Sequence, residues 1–516
     1  KNALFSKGAR CNKVGKNPVW YVANSSNLLI MAKASSSNEF EGQILRSTKY
    51  TWKLGRCVGR GTCSVVVEVV GSFVSSTMHR RPQDIKAAVK IFKQAQRFEA
   101  AGVNEIEILE YLRRRGELTK CKCRHIAWLI DYFSYKGVMH LVFDRLDCDL
   151  HHILLKNSNK GLPLYIVKEC ARHILEALRF LAANMVVHGD VKMSNIMWNA
   201  NRGLFQLVDF ALSFVKENQP YQPLQSAGYQ SPEAGMWNRM IIEGTADRSN
   251  SGCCCASDMW SFAFVLWYMY TGTPACRYET DNPVCDNCLK AEEILCLHFK
   301  QINTQIPNDG RKITAEHHEL FHDLIMKMIK CKPEERITSS NALQHLFLEP
   351  SAELLIPSLA DMMLLPTTTL LMDNVYLQHG EDLFFFSYTN SLKDVEEMCA
   401  RFGVIRQITR GSTDGKVLIQ YFDADDCSRA HSALTGWIYN GRTVITCFYL
   451  SGKSSIPGIF TSVEPTQEKI HDNGRPDTLG KRSVDSESEF PAKDDVKCMK
   501  TSNENLDIDL KVKTSF

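Results

Sequence analysis

The stretch "VVHGDVKMSN", residues 186–195, decides how the rest of the chain is interpreted. Two apolar valines lead into a polar set formed by His188, Asp190, Lys192 and Asn195, with a glycine between the histidine and the aspartate. A carboxylate can orient a hydroxyl group and accept its proton, and an amide oxygen is a ligand that suits a hard cation. A loop with these residue types could carry out proton transfer beside a bound cation if further polar groups of a site lie on either side of it in the sequence.

A glycine-rich segment precedes this loop in the chain. "VGRGTCSVV", residues 58–66, contains a pattern made by Val58, Gly59, Gly61 and Val66, and a serine stands where a third glycine is usual. Glycines let backbone N–H groups approach phosphate oxygens closely. Taken alone, the pattern also fits an ordinary turn, so its meaning depends on the residues that accompany it.

An ion pair is predicted between the next strand and the helix after it. The run "AAVKIF" places Ala88 and Lys90 on a strand, where a lysine could hold the phosphates of a nucleotide. An amphipathic helix follows, and Glu105 has the best position relative to its apolar leucines to pair with that lysine. Glu107 and Glu110 are competitors for the same role.

Asp209, in "VDFALSF", completes a set that chance does not explain. A given charged residue type makes up roughly 6% of an average protein. The set Lys90, Asp190, Lys192, Asn195 and Asp209, in this order and in suitable elements, would then arise by chance about once in a million sequences. The combination resembles the protein kinases, whose catalytic loop has the pattern His-Arg-Asp-x-Lys-x-x-Asn.

The resemblance implies a site for ATP and Mg²⁺ between two lobes. Lys90 would hold the α- and β-phosphates, Asp190 would orient the substrate hydroxyl group, and Lys192 would neutralise charge on the transferred phosphoryl group. Asn195 and Asp209 would hold Mg²⁺ through oxygen atoms. "HLVFDRLDCDL" resembles the hinge between kinase lobes, in which Phe143 would be the gatekeeper and Asp144 to Leu146 would offer backbone groups to adenine.

The order of predicted elements indicates an α+β chain in four parts. Residues 1–48 are rich in Ser, Asn and Lys and are predicted to be disordered. Residues 50–350 are predicted to form the kinase domain, a small β-rich lobe followed by a large helical lobe. Residues 366–450 have the order βαββαβ of an RNA-recognition-motif (RRM) fold, and residues 451–516 are predicted to be a disordered tail.

Composition excludes some classes of partner. The net charge of +3 on 516 residues is too small to indicate a nucleic-acid or membrane surface. No stretch reaches the roughly 18 apolar residues that span a bilayer. The 19 cysteines are irregularly spaced in a long chain, which favours reduced intracellular thiols over a disulfide framework.

A narrower resemblance covers residues 50–450 and joins both domains. The segments "HGDVKMSNIMW", "VDFALSF", "GYQSPEA", "VEEMCARFG" and "GWIYNGRTVITCFY" are similar to the UHM kinases, the kinases that interact with stathmin. This resemblance implies a Ser/Thr kinase of the nucleus and cytoplasm that phosphorylates Ser followed by Pro in RNA-processing or microtubule-regulating proteins. It also implies that the RRM-like UHM domain binds a Trp-containing peptide motif of splicing factors.

Two departures from the kinase pattern leave a second interpretation open, and a third, at Gly189, does not count against activity. Ser64 replaces the third glycine, and Ala211 replaces the glycine of Asp-Phe-Gly. Alanine tolerates positive φ less well than glycine, so it could hold Asp209 inside or outside the site. Gly189 replaces the arginine of the catalytic loop, as in the UHM kinases, and removes a cation that would bind an activation-loop phosphate. The alternative to an active kinase is an inactive pseudokinase scaffold that binds nucleotide and protein partners.

The second domain departs further from its family. Lys416 and Leu418 stand where RNA-binding RRM folds carry stacking aromatic residues, so RNA binding is not expected on this face. The Arg-x-Phe loop of a UHM is replaced by residues 437–439, Trp-Ile-Tyr, while Asp394 and Glu397 retain part of the acidic helix. Peptide binding and a packing module that stabilises the kinase are both compatible with this pattern.

Overall fold

The structure is a computed structural model of the chain. It describes residues 39–74, 84–247, 252–275, 315–349, 361–375, 384–410, 415–439 and 441–450, without the side chains of residues 315, 384–391 and 410. The described residues belong to one compact unit, Lys1–Ser462. The predicted tail, 451–516, lies outside the described residues, as do residues 1–38 of the predicted disordered segment.

Six antiparallel strands form the small lobe, in the sheet order β1-β2-β3-β4-β6-β5. They are β1 (Ile44–Arg46), β2 (Tyr50–Arg60), β3 (Ser64–Phe73), β4 (Ile85–Phe92), β5 (Leu129–Tyr135) and β6 (Val138–Asp144). Trp52 is fully buried, and its indole N–H donates to Asp131 Oδ2 at 3.0 Å. Gly71 makes room for that ring, because a Cβ there would lie 2.2 Å from it. Helix α1 (Gln96–Thr119) packs against β4, β5 and β6.

The large lobe is built on buried helices. In the described ranges, its helices are α2 (Leu150–Lys156), α3 (Leu164–Ala183), α4 (Pro232–Glu243), α5 (Cys255–Thr271), α6 (Ala315–Met328) and α7 (Ser339–Ala342). Helix α5 is apolar on nearly every face and is buried accordingly. In the part of the chain that the structure describes, no helix is both long and apolar enough to cross a bilayer.

Short strands hold the loops that face the small lobe. β7 (Cys148–Asp149), β9 (Ile196–Asn199) and β10 (Leu204–Leu207) form one sheet, and β8 (Val186–Val187) pairs with β11 (Phe214–Val215). The catalytic-loop stretch, residues 186–195, therefore runs from β8 to the residue before β9. Both of its ends are fixed by strand pairing.

A second α+β body follows the large lobe. Its four antiparallel strands have the sheet order β13-β14-β12-β17, and a short hairpin, β15–β16, precedes the last strand. The elements are β12 (Thr369–Asp373), α8 (Phe384–Ala400), β13 (Ile405–Arg410), β14 (Val417–Tyr421), α9 (Ala424–Leu434), β15 (Ile438–Tyr439), β16 (Arg442–Thr443) and β17 (Ile445–Phe448). Leu370, Val395, Ile419 and Cys427 belong to the core shared by the sheet and its helices.

The opposite face of this sheet is covered by the segment that connects it to the large lobe. Leu371, Cys447 and Tyr449 form an apolar cluster with Met362, which lies on a short 3₁₀ turn, Asp361–Met363. The sheet is thus apolar on both faces, which is typical of a strand layer that is buried on both sides.

Two large-lobe side chains hold the backbone of this connecting segment. The indole N–H of Trp198 donates to the carbonyl oxygen of Pro366 at 2.6 Å. The hydroxyl group of Tyr165 donates to the carbonyl oxygen of Asp361 at 2.9 Å. These two hydrogen bonds therefore hold the connecting segment to the large lobe at Asp361 and at Pro366.

One predicted boundary differs from the structure. Residues 1–48 are predicted to be disordered, but Ile44–Arg46 form β1 and pair with Thr51, Trp52 and Lys53 of β2. Leu45 supplies the physical reason, because it is buried in the small-lobe core beside Trp52. A single apolar residue in a polar segment is a weak sequence signal for a strand.

Candidate active site

Lys90 is the centre of an ion-pair chain between the two lobes. Its Nζ lies 2.7 Å from Glu105 Oε2 on α1 and 2.7 Å from Asp209 Oδ1. Glu105 is almost completely buried, and its other oxygen accepts the backbone N–H of Phe210 at 3.2 Å. Of the predicted competitors, Glu110 pairs with Arg113 on the same helix. Glu105 is therefore the residue on α1 that contacts Lys90.

Charge coupling keeps Lys90 and Asp209 ionised, whereas burial raises the pKa of Glu105. Burial acts to lower the pKa of Lys90, but the carboxylates of Asp209 and Glu105 raise it above its usual range. Burial acts to raise the pKa of Asp209, but the ammonium group of Lys90 lowers it to about 2. An ammonium group at this point can neutralise phosphate oxygens, and an ionised carboxylate beside it can bind a cation.

The catalytic loop carries a second connected set. Asp190 Oδ1 accepts the hydroxyl group of Ser226 at 2.7 Å and its backbone N–H at 3.1 Å. Lys192 Nζ lies 2.7 Å from Asp190 Oδ2 and donates to Ser226 Oγ at 2.9 Å. Asn195 Nδ2 donates to the backbone oxygen of Asp190 at 2.8 Å. The carboxylate is held in one orientation, which general-base catalysis requires.

The backbone of the loop is fixed from below by a buried carboxylate. Asp258, near the start of α5, accepts the backbone N–H groups of His188 at 2.7 Å and Gly189 at 3.0 Å. The imidazole of His188 packs edge-on against Phe210, with ring centroids 4.9 Å apart. These contacts tie the loop to the segment that contains Asp209.

The strand register brings the predicted nucleotide-site residues together. Gly59 is opposite Val66, and Val66 is opposite Lys90, so the glycine-rich turn lies beside the lysine. Ala88 is opposite Phe143. The remaining predicted residues of this wall are Val58 and Gly61 at the turn, and Asp144 and Leu146 at the hinge.

Ala211 does not turn Asp209 away from the site. The residue with positive φ is Asp209 itself, at 65°, and Ala211 is not among the positive-φ residues in the described ranges. An alanine therefore fits this position without backbone strain. Of the two outcomes left open by the sequence, the structure has Asp209 directed into the cleft, against Lys90.

The side chains at the predicted metal positions suit Mg²⁺. Asn195 directs its amide nitrogen to the backbone of Asp190, which leaves the amide oxygen as the atom for a cation. Asp209 adds an ionised carboxylate. Mg²⁺ is typically bound by one or two such oxygens together with phosphate oxygens and water. Bound there, the cation would neutralise charge on the phosphates that face Lys90.

This geometry agrees with known proteins. The protein kinase domain family matches residues 52–348, more than half of the chain. The chain belongs to the protein kinase family. The Serine/threonine-protein kinase Kist of Homo sapiens is 31% identical over 317 residues, which is 60% of this chain and 71% of that protein. Kist of Mus musculus is 30% identical with the same coverage, and ppk5 of Schizosaccharomyces pombe is 25% identical over 58% of this chain and 36% of its own.

These similarities fix the class of the enzyme. The likeness to Kist supports membership of the UHM kinase family, and the protein is a Ser/Thr protein kinase. The small strand-rich lobe and the large helical lobe are the two lobes of the protein kinase fold.

Gly189 of the kinase is required by its backbone geometry. Its φ is +77°, and a Cβ at this position would lie 2.8 Å from the carbonyl oxygen of Leu212. An arginine would therefore be strained and would clash with the backbone of the segment that follows Asp209. The loop is built around the absence of that side chain.

Two residues that the sequence analysis did not select organise the segment between Asp209 and Glu233. Asn104, next to Glu105, donates to the carbonyl oxygens of Ala211 at 3.0 Å and Ser213 at 2.9 Å. Gln225 donates from its backbone to the carbonyl oxygen of Gly189 at 2.8 Å. The Gln225 amide also bridges to backbone groups of Ser257 and Ser231. In the sequence, the position of Asn104 next to Glu105 was the one feature that could have indicated its contact with the segment after Asp209.

A buried ion pair closes the large lobe of the kinase. Arg336 binds both carboxylate oxygens of Glu233, at 2.6 and 2.7 Å, and its side chain is 0% exposed. The guanidinium group also donates to three backbone carbonyl groups and lies over the ring of Trp260. Burial acts to raise the pKa of Glu233, but the contact with Arg336 lowers it. The pair fixes the end of the segment that begins at Asp209.

Proposed function

We propose that this kinase transfers the γ-phosphoryl group of ATP, with Mg²⁺, to Ser followed by Pro in protein substrates. Asp190 orients the substrate hydroxyl group and accepts its proton, and Lys192 neutralises charge on the transferred group. Lys90 binds the α- and β-phosphates, while Asn195 and Asp209 hold the cation. The observation that carries the proposal is the contact of Lys90 with both Glu105 and Asp209, which joins the two lobes around the cleft.

Support for a proline after the acceptor serine comes from Gln225. This residue precedes Ser226, the residue bound to the catalytic carboxylate, and its φ is +59°. Its carbonyl oxygen accepts the side-chain amide of Gln230 at 3.3 Å, so it has a partner within the protein. If the substrate residue after the serine had a backbone N–H group, that group could not use the carbonyl oxygen of Gln225 as its acceptor. Proline has no backbone N–H group and needs no acceptor there.

A pair of peptides tests this specificity. We expect a Ser-Pro peptide to be phosphorylated with a kcat/KM about tenfold or more above that of the matched Ser-Ala peptide, since an unmade hydrogen bond at a buried site costs on the order of 1–3 kcal/mol. The measurement is initial-rate kinetics with ATP and Mg²⁺. Equal kcat/KM values for the two peptides would remove the proposed specificity but leave the kinase activity standing.

The activity is expected to be independent of phosphorylation in the segment from Asp209 to Glu233. Before Ser231, its hydroxyl residues of the Ser/Thr type are Ser213 and Ser226. Ser213 is fully buried and donates to the carbonyl oxygen of His188, and Ser226 is bound to Asp190. Treatment with a broad-specificity phosphatase should change the rate of peptide phosphorylation by less than about twofold. Position 189 is a glycine and has no guanidinium group that could bind a phosphate on this segment. A tenfold drop would contradict this expectation.

We also propose that the C-terminal body is an RRM-like UHM domain that binds a protein segment weakly, and not RNA. Leu418 belongs to the covered apolar face, and Lys416 Nζ lies 3.9 Å from Asp373. A base would have to displace the connecting segment to stack on this face. At the proposed peptide site, formed by residues 437–439 and the acidic helix, Tyr439 donates to Asp394 Oδ2 at 3.1 Å. An incoming peptide therefore competes with a contact inside the protein.

Calorimetry of the full chain tests this assignment. A Trp-containing basic peptide should bind with a Kd above about 1 μM, which corresponds to a binding free energy weaker than about −8 kcal/mol. Single-stranded RNA should show no heat of binding. Tyr439→Ala should change peptide affinity, because it removes both the aromatic ring and the contact to Asp394. Tight RNA binding that ignores Tyr439→Ala would reverse the assignment.

A further inference from the structure

The start of helix α9, the acidic stretch Asp423–Asp425, contacts the kinase domain at the hinge. Arg145, the first residue after β6, binds both oxygens of Asp425, at 2.8 and 2.5 Å. Lys86, on β4 of the small lobe, lies 2.9 Å from Asp425 Oδ2 and also contacts Asp423. One stretch of the C-terminal body therefore binds the small lobe and the hinge together.

The same stretch also binds the large lobe. The backbone N–H of Ala424, at the first turn of α9, donates to Asn201 Oδ1 at 2.8 Å, in the turn between β9 and β10. Ala424 is 3% exposed and packs in the hydrophobic core of the kinase domain. A free N–H group at a helix start usually needs a side-chain acceptor, and here the acceptor belongs to the other body.

The charges of these groups are well defined. Burial acts to raise the pKa of Asp425, but Arg145 and Lys86 lower it to about 2. The side chains of Arg145 and Asp425 are 26% and 28% exposed, so water and salt screen this pair less than a fully exposed one. Glu68 Oε1, on β3, lies 3.8 Å from Arg145, so the network also includes a residue of a second small-lobe strand.

Lys86 connects this contact to the active site. It lies four residues before Lys90 on β4, and alternate residues on a strand point to the same face, so Lys86, Ala88 and Lys90 share the cleft face. A contact that restrains Lys86 therefore also restrains the strand that positions Lys90 beside Asp209. Arg145 follows Asp144 directly, so the same contact restrains the hinge.

We propose that the C-terminal body is an interlobe clamp, in which Asp423 and Asp425 bind Lys86 and Arg145 while Asn201 accepts the backbone N–H of Ala424, and that this clamp holds the two lobes in the arrangement where Lys90 meets Asp209. Asp425 is a positioning residue, because it acts on the hinge through Arg145 and on the small lobe through Lys86. Without the clamp, the lobes sample open arrangements, and ATP must select the closed one.

Steady-state kinetics of the full chain distinguish positioning from general stability. Asp425→Asn should raise the KM for ATP by about threefold to tenfold, with kcat nearly unchanged, because apparent affinity falls with the population of the competent arrangement. A variant that merely unfolded part of the enzyme would lower kcat and leave KM where it was. Hydrogen exchange should become faster in hinge residues 143–148 of the same variant.

Three further variants complete the design. Asp426→Asn removes the same charge one residue later, and its partner Arg429 lies on α9 itself, so KM for ATP should stay at the value of the unmodified chain. Asp425→Glu keeps the carboxylate and should recover most of the affinity. Asn201→Ala acts from the large-lobe side, leaves the core of the C-terminal body intact, and should raise KM in the same direction by a smaller factor.

Some results would overturn the proposal. An unchanged KM for ATP in Asp425→Asn, with unchanged exchange in the hinge, means that the contact carries no positioning. An equal rise in Asp426→Asn means that the effect is one of general charge. A fall in kcat at constant KM, in both Asp425→Asn and Asn201→Ala, means that the contact only stabilises the fold.

Discussion

Replacing Asp190 by Asn is expected to lower kcat for peptide phosphorylation by about 10²–10⁴-fold, the range that a positioned general base contributes. Asparagine keeps the shape of the side chain and can still accept from Ser226, but it cannot take the proton of the substrate hydroxyl group. Nucleotide affinity should change little, because Asp190 contacts Lys192, Ser226 and Asn195, and the nucleotide wall is built by other residues. Initial rates and nucleotide titration of the same preparation measure the two effects separately.

Asp323→Asn is a matched control for this experiment. Asp323 lies on α6 and pairs with Lys327, one turn further along the same helix. Its kcat should stay within about twofold of the unmodified enzyme, since the change lies outside the catalytic loop and the nucleotide site. If Asp190→Asn kept more than a tenth of the original kcat, Asp190 would not be the base.

Replacing Arg336 by Met is expected to destabilise the kinase domain by about 3–5 kcal/mol, the usual cost of removing one partner of a buried ion pair. The change leaves the carboxylate of Glu233 buried without its counter-ion and leaves three backbone carbonyl groups without their donor. Chemical denaturation, followed by the fluorescence of buried tryptophans such as Trp260, measures the effect.

A double variant separates charge from packing. Arg336→Met combined with Glu233→Gln removes the unpaired charge, and it should recover part of the lost stability because a neutral amide is less costly to bury than a lone carboxylate. A loss of less than about 1 kcal/mol for Arg336→Met alone would show that the pair is dispensable, as most exposed pairs are.

The catalytic set was accessible to sequence analysis because its members are tied to local patterns. Lys90 follows an apolar alternation that predicts a strand, and Glu105 lies on the buried face of an amphipathic helix. The strand register then brings Gly59, Val66 and Lys90 side by side. Each of these features depends on residues only a few positions apart, where periodicity carries information.

The contacts that the sequence did not reveal join distant parts of the chain. Asp425 and Arg145 are 280 residues apart, and neither lies in a pattern that marks it as paired. Gln225 acts through a left-handed backbone conformation that glutamine rarely adopts, so its residue type gives no hint of its role. The single buried leucine of β1 was likewise too little signal to distinguish a strand from a disordered segment.

Gly189 limits which substitutions the catalytic loop can accept. An arginine at this position would meet the carbonyl oxygen of Leu212. The segment after Asp209, which is held by Asn104 and Gln225, would have to change shape to make room for it. Control by a phosphate bound to such an arginine would therefore need coordinated changes in the loop and in this segment, and a single substitution cannot supply it.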